Sequence, residues 1–156
     1  MKLRQLRSED EATVKNWLRD YLRAHVDWWS EAYGTMSQVE LETLVQDEWE
    51  ALLGASQTDD CFVKLTGNQP LGIVYAELRH EKYLGFKVGV LSWIYVAREA
   101  RGQNVSTQLM DAANAWMKSK HVHGLEVFVT AQNPAAVKLY ERHGYKIIDH
   151  RMLAEV

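Results

Sequence analysis

The sequence predicts one α/β domain of the α+β type, a mixed, mostly antiparallel central sheet flanked by helices. Three observations carry that expectation. The chain has 156 residues, 47% of them hydrophobic, enough for one real core. Its β-rich runs are joined by hairpins and by only one or two crossover helices, the mixture that suits such a sheet. One stretch, Val90 to Met117, joins a buried-strand composition to an amphipathic helix through a polar turn. No segment reads as a linker, repeat or low-complexity region, so 1–156 is expected to be a single domain.

In chain order, Met1 to Arg7 is expected as a short first strand, with Leu3 and Leu6 among basic and polar residues. Ser8 to Glu11 has the form of a capping box, with Ser8 as N-cap. Val14, Trp17, Leu18, Tyr21 and Leu22 then mark one face of a helix. His25 to Met36 loses this period and contains Gly34, which predicts a loop or broken helix. Ser37 and Glu40 form a second capping box, opening a helix that is expected to stop at Gly54. Cys61 to Leu65 and Leu71 to Leu78 read as a hairpin around Thr66 to Pro70. Val88 to Val96 is the fourth strand, and roughly Gly102 to Lys118 the helix after it. Leu125 to Thr130 alternates as a fifth strand. Asn133 and Pro134 cap and open a short helix that ends at Gly144. Tyr145 to Ile148 and Arg151 to Leu153 are expected as two last strands, giving the order β-α-α-β-β-β-α-β-α-β-β.

The turn Ala97 to Asn104 is the first candidate site. A strand that runs through a turn into a helix aims the free N–H groups of the first helical turn at one point. Cations usually avoid that end, yet Arg101 sits there, and the first carboxylate inside the helix is Asp111. No side-chain anion competes for these amides, so a phosphate could take them. An ordinary strand-to-helix connection with surface arginines would show the same residues.

This element order, the turn after the fourth strand, and the run NPAAVKLYERHGY from Asn133 to Tyr145 resemble the GNAT family of acetyl-CoA-dependent N-acetyltransferases. The likeness is strongest from Leu91 to Ile147 and extends over the rest as element order. In that family a (Gln/Arg)-x-x-Gly-x-(Gly/Ala) motif holds the coenzyme pyrophosphate on backbone amides. The matching residues are Arg101, Gly102, Gln103, Asn104, Val105 and Ser106. Asn104 stands for the central glycine, and asparagine is among the residues that tolerate positive φ. Ser106 replaces the last small residue and remains small enough for close approach.

The resemblance implies acetyl-CoA as cosubstrate, no metal, and direct attack by an amine on the thioester. It assigns Ile94, Tyr95 and Val96 to backbone contacts with the pantetheine chain and the developing oxyanion. It assigns Asn133 to a coenzyme contact and Tyr140 to protonation of the departing thiolate. Seven residues of helix are two turns and keep Asn133 and Tyr140 on one face. Capping alone would also explain Asn133, and core packing Tyr140. Many relatives carry a catalytic carboxylate two residues before the Ile94 position, where this chain has Ser92. Proton removal is then left to ordered water or to a carboxylate from elsewhere, such as Glu77 or Glu31.

The connection of the first two helices forms one wall of the acceptor cleft in this family, and here it carries Asp27, Trp28, Trp29, Glu31 and Tyr33. Aromatic faces and carboxylates favour a protonated amine, so Trp28, Trp29 and Glu31 are expected to bind a cationic small-molecule or peptide amine. Closure of the core would account for the two tryptophans equally.

Composition narrows the classes. A net charge of −3 and a pI near 6.1 predict no general attraction to nucleic acid or anionic membrane. No run is long and apolar enough to span a bilayer, and MKLRQLRSEDE lacks the core of a secretion signal. The lone Cys61 excludes an internal disulfide and suits a reducing cytoplasm. His121 and His123 have no further ligands at zinc spacing, so no metal is expected. A homodimer is compatible with this reading. Two alternatives stay open: an aminoglycoside 6′-N-acetyltransferase, and a non-catalytic acyl-CoA-binding module.

Overall fold

The structure, a computed structural model, describes residues 2–154 and 156. Its elements are β1 (Leu3–Gln5), a 3-10 turn (Ser8–Asp10), α1 (Glu11–Tyr33), α2 (Gln38–Ala55), β2 (Cys61–Thr66), β3 (Gly72–His80) and β4 (Lys87–Val96). A second 3-10 turn (Arg98–Ala100) leads to α3 (Val105–Ser119), β5 (Gly124–Val127) and α4 (Pro134–Arg142). The five strands lie side by side in sequence order. β1 to β4 pair antiparallel, and β5 joins β4 in parallel through the α3 crossover. The α+β class with a mixed, mostly antiparallel sheet is therefore the observed one.

Each face of the sheet has its own core. Val14, Trp17 and Leu18 of α1 and Val45, Trp49 and Leu52 of α2 pack on Val63, Leu65, Ile73 and Trp93. On the opposite face Leu109, Met110, Ala113 and Met117 of α3, with Leu139 and Tyr140 of α4, cover Val74, Ala76 and Leu91. Two glycines let α3 approach. A Cβ on Gly72 would stand 3.0 Å from Leu109 Cδ1 of α3, besides 2.7 Å from the Tyr95 carbonyl oxygen of β4, and one on Gly89 would stand 2.7 Å from the Met117 sulfur.

Several expected boundaries shift. His25 to Met36 is not a broken loop: α1 runs unbroken to Tyr33 and ends at Gly34, whose φ is +82°. The helical period is there, carried by aromatic rings. Tyr21 and His25 are 4.2 Å apart, His25 and Trp29 5.5 Å, and Trp29 and Tyr33 6.1 Å, each pair one turn apart. The box at the start of α1 is also built differently. Asp10, not Glu11, accepts the Arg7 amide at 2.9 Å, because Arg4 grips the Asp10 carboxylate at 2.7 and 2.8 Å. The α2 box forms as expected, with Ser37 and Glu40 each accepting the other's amide. α2 passes through Gly54 to Ala55.

β5 stops at Val127 instead of Thr130, where the Thr130 hydroxyl accepts from Trp29 Nε1 at 3.2 Å and draws the chain off the sheet. The two last strands are absent among the described residues, and 145–154 is irregular. A strand needs an edge to pair with, and β5 offers only Gly124–Val127. Arg151 is drawn instead to α1, donating to the Tyr33 hydroxyl at 2.9 Å. Met1, the first residue of the expected β1, lies outside the described residues.

Candidate active site

Between β4 and β5 the sheet opens. The strands pair only from Val88 with Gly124 to Leu91 with Val127. From Trp93 to Val96, β4 keeps β3 on one side and has no strand partner on the other among the described residues. A bulge marks the point of parting: Trp93 faces Tyr75 and Leu91 faces Ala76, leaving Ser92 as the extra residue. Ile94, Tyr95 and Val96 therefore lie on a free backbone edge. Ile94 and Val96 lean to the α3 side, while Tyr95 lies on the α1 side, stacked on Trp17 at 5.6 Å.

The chain turns from that edge into α3. Gly102 has φ of +80° and Asn104 +62°, so the asparagine takes the left-handed conformation that a glycine would usually supply. Asn104 is the N-cap, yet its side chain makes no capping hydrogen bond, and the first turn of α3 holds no carboxylate. Val105, 2% exposed, pins the helix start to the core, and Ser106 is half-buried beside it. Gln103 is tied back to the Glu99 carbonyl at 3.0 Å. The result is a set of unclaimed N–H groups at a helix start, a fit for phosphate oxygens.

Two cations border this turn. Arg101 donates to the Val96 carbonyl at 3.2 Å and lies 5.7 Å over the Tyr95 ring. Arg98 is ion-paired with Asp20 of α1, and Arg101 approaches the same carboxylate at 4.0 Å. The Tyr95 hydroxyl also donates to Asp20, at 2.6 Å. That hydrogen bond, followed by those from Arg98, holds the Asp20 carboxyl below its usual range. Burial, then Asp20, pushes the Tyr95 phenol up to about 12. Asp20 thus ties α1 to the turn, a tether without any local sequence signal, because its partners lie some 75 residues further along the chain.

On the far side of α3, Asn133 caps α4, accepting the Ala136 amide at 3.2 Å, with Pro134 at the first helical position. Tyr140, two turns on, is 9% exposed, and its ring lies 6.1 Å from that of Tyr145, whose hydroxyl is anchored on Asn114. Burial, with the phenols of Tyr21 and Tyr145 nearby, pushes Tyr140 well above the ordinary tyrosine value. Its hydroxyl has no hydrogen-bond partner among the described residues.

Trp28 and Trp29 sit half-buried on α1, not on a loop, and Glu31 is exposed. Trp29 already faces a cation, the Arg151 guanidinium 5.4 Å above its ring. Of the two carboxylates suggested as proton acceptors, Glu31 lies on this outer surface, while Glu77 of β3 accepts from Ser92 at 2.6 Å. Among the described residues no group of His, Cys, Asp and Glu is arranged to hold a metal ion, and no helix is long and apolar enough to cross a membrane.

The Acetyltransferase (GNAT) family model matches residues 13–145. No curated protein matches the chain by sequence. Among solved structures, a tetramutant of the BH1408 protein from Bacillus halodurans superposes with a TM-score of 0.81 at 17% identity, covering 100% of both chains. A Pyrococcus furiosus protein described as an acetyl transferase gives 0.76 at 25% identity, over 99% of this chain and 100% of its own. The aminoglycoside N-acetyltransferase AAC(6′)-Iy, in complex with CoA, gives 0.67 at 18% identity, over 99% of this chain and 98% of its own.

Proposed function

Because the chain belongs to the GNAT family of acetyltransferases, its family match spanning residues 13–145, we propose that it moves the acetyl group of acetyl-CoA to a primary amine of a small or peptidic, cationic acceptor. Transfer is by direct attack within a ternary complex. The observation that carries this reading is the opening between β4 and β5, edged by Ile94 to Val96 and ended by the carboxylate-free start of α3.

The amides of Gly102 and of Asn104 to Ser106 and the Arg101 guanidinium would hold the pyrophosphate, the Gln103 amide being turned back to the Ala100 carbonyl at 3.3 Å, and Asn133 would contact the coenzyme from the start of α4. The free edge of β4 would take the pantetheine amides as it would take another strand. Its N–H groups would also stabilise the oxyanion, where a fixed dipole costs no reorganisation. Tyr140, kept protonated, would give its proton to the leaving thiolate. Trp28, Trp29 and Glu31 would form the acceptor's cation wall. Arg151 on Trp29 supports that part, since this ring already takes a guanidinium.

Release of free CoA thiol from acetyl-CoA tests the reading against a panel of polyamine, amino sugar and peptide amines, with a neutral alcohol and an acid as controls. Thiol release with amines alone is the expected result. A thermal shift with acetyl-CoA but no thiol release would favour a non-catalytic acyl-CoA-binding module. A preference for the 6′-amine of aminoglycosides would narrow the acceptor to the class named for AAC(6′)-Iy.

A further inference from the structure

We infer that Glu77 is the carboxylate that takes the proton from the acceptor amine, held in place by Ser92 at the point where β4 parts from β5. The inference rests on the acetyltransferase reading and assigns the step for which β4 supplies no carboxylate. Ser92 is both the first β4 residue beyond the β5 pairing and the extra residue of the bulge. Its side chain donates to Glu77 Oε1 at 2.6 Å. The Tyr75 hydroxyl donates to Oε2 at 3.0 Å, and Arg79 forms an ion pair with Oε1. Cys61, opposite Glu77 on β2, completes the surroundings, with its sulfur 3.9 Å from the Tyr75 hydroxyl. The Glu77 side chain is 18% exposed, enclosed but still reached by solvent.

The alternatives are placed worse. Glu31 is on the outer surface of α1, and Asp20 lies at the Arg98–Arg101 turn, where it pairs with both guanidinium groups, and not beside Ser92. Beside Ser92, Trp93 Nε1 is buried without a partner among the described residues, as happens where a water or ligand completes a site.

Burial lifts the Glu77 pKa, but the hydrogen bonds from Ser92, Arg79 and Tyr75 outweigh it and leave the group below its ordinary value. Glu77 is thus an anion throughout the working range and attracts an ammonium as counter-ion. The acceptor ammonium gives one proton to Glu77, which passes it to solvent. The free amine attacks the thioester carbonyl, forming the C–N bond as the C–S bond breaks. The second nitrogen proton balances the one that Tyr140 gives to the thiolate, so each turnover releases one proton.

Glu77→Gln keeps an acceptor for Ser92 and Tyr75 and removes the basicity together with the ion pair to Arg79, whose exposed guanidinium stays solvated. At pH 7 its kcat/KM for the acceptor should fall about 10²-fold, with an unchanged thermal shift on adding acetyl-CoA. Its pH–rate profile should move toward the free amine's own pKa, so that the deficit shrinks at high pH. A deficit equal at every pH, or none, in a variant that binds acetyl-CoA would mark Glu77 as structural and overturn the assignment alone. If Glu77→Gln does not fold, Ser92→Ala, which loosens the carboxylate, should show the same pH-dependent deficit in smaller measure, and a flat profile there would overturn it equally. A wild-type enzyme that releases no thiol with any amine would remove the transferase reading, and this assignment with it.

Discussion

On one face of the sheet, α3 lies so near the strands that Gly89 has no room for a methyl group against Met117, and Leu109 closes in on Gly72. On the other face, α1 and α2 stand on a layer of large rings, Trp17, Trp49 and Trp93 among them. They are also fastened by charge: Arg4 to Asp10, Arg19 to Glu42, and Asp20 to Arg98. The first face is a close apolar contact continued by a tight backbone turn, so its geometry is set over short stretches of chain. The second is assembled from partners far apart in sequence. In the proposed enzyme these faces serve different guests, a phosphate-bearing cosubstrate at the start of α3 and a cationic acceptor along α1. Rigidity is useful to the first task, and adjustable side chains to the second.

Acid should separate the faces most strongly. Arg4 hydrogen bonds first, aided by the Arg7 amide, hold Asp10 below the ordinary carboxylate value against the opposing effect of burial. A depressed folded pKa gives stability that is complete above the unfolded value near about 3.9. That stability is lost as the pH falls through the folded value. The wild-type melting temperature should therefore drop below about pH 4. Asp10→Asn should cost about 3 kcal/mol at pH 7, since it leaves Arg4 without its buried counter-ion. It should also flatten the acid slope. Gly89→Ala, which crowds Met117 on the other face, should cost about 1–3 kcal/mol at every pH. An Asp10→Asn protein with the wild-type acid slope would show that the Arg4–Asp10 pair does not set the acid sensitivity of the α1 face.

Two further variants probe the α3 side. Tyr140→Phe keeps the packing and removes the donor, so kcat should fall about 10²-fold or more, with little change in acetyl-CoA binding. An unaffected kcat would make Tyr140 a packing residue and water the acid. Ser106→Asp places a carboxylate among the free amides of α3 and should abolish thermal stabilisation by acetyl-CoA, worth about 2.7 kcal/mol at 100 times its dissociation constant. A retained shift would move the coenzyme away from this turn.

What was legible in the sequence follows the same division. The left-handed Asn104, the capped starts of α2 and α4 and the open start of α3 rest on neighbours a few residues apart, and the structure has them as expected. The continuation of α1 through His25 to Tyr33 was obscured because the stripe is made of rings and a histidine instead of aliphatic residues. The capping role of Asp10 was hidden behind Glu11, as it depends on Arg4 from β1. The grip of Ser92 on Glu77 is invisible without the β3–β4 register. Tyr145 to Ile148 and Arg151 to Leu153 read as strands in the sequence but lack the one thing a strand also needs, an edge to pair with, which local sequence does not reveal.

The smallest expected effect tests whether the α1 face reads the acceptor. The Trp29 ring already lies beneath a guanidinium from the chain itself, that of Arg151, which is also hydrogen bonded to Tyr33. Any cationic acceptor that used this ring would have to share it or displace Arg151. A cation on an aromatic face contributes about 0.5–2 kcal/mol depending on desolvation. Trp28→Ala and Trp29→Ala should therefore raise the acceptor KM by about 2- to 30-fold, the same energies expressed as ratios, and Glu31→Gln, at an exposed carboxylate, should raise it less. The KM for acetyl-CoA should stay nearly unchanged. Arg151→Ala should act in the opposite direction and lower the acceptor KM, because it removes the competing cation and leaves the ring in place. Steady-state kinetics with one amine from the thiol-release panel read both changes. Should all four variants keep the wild-type acceptor KM, the rings of α1 close the core and nothing more, and the acceptor is read elsewhere along the opening.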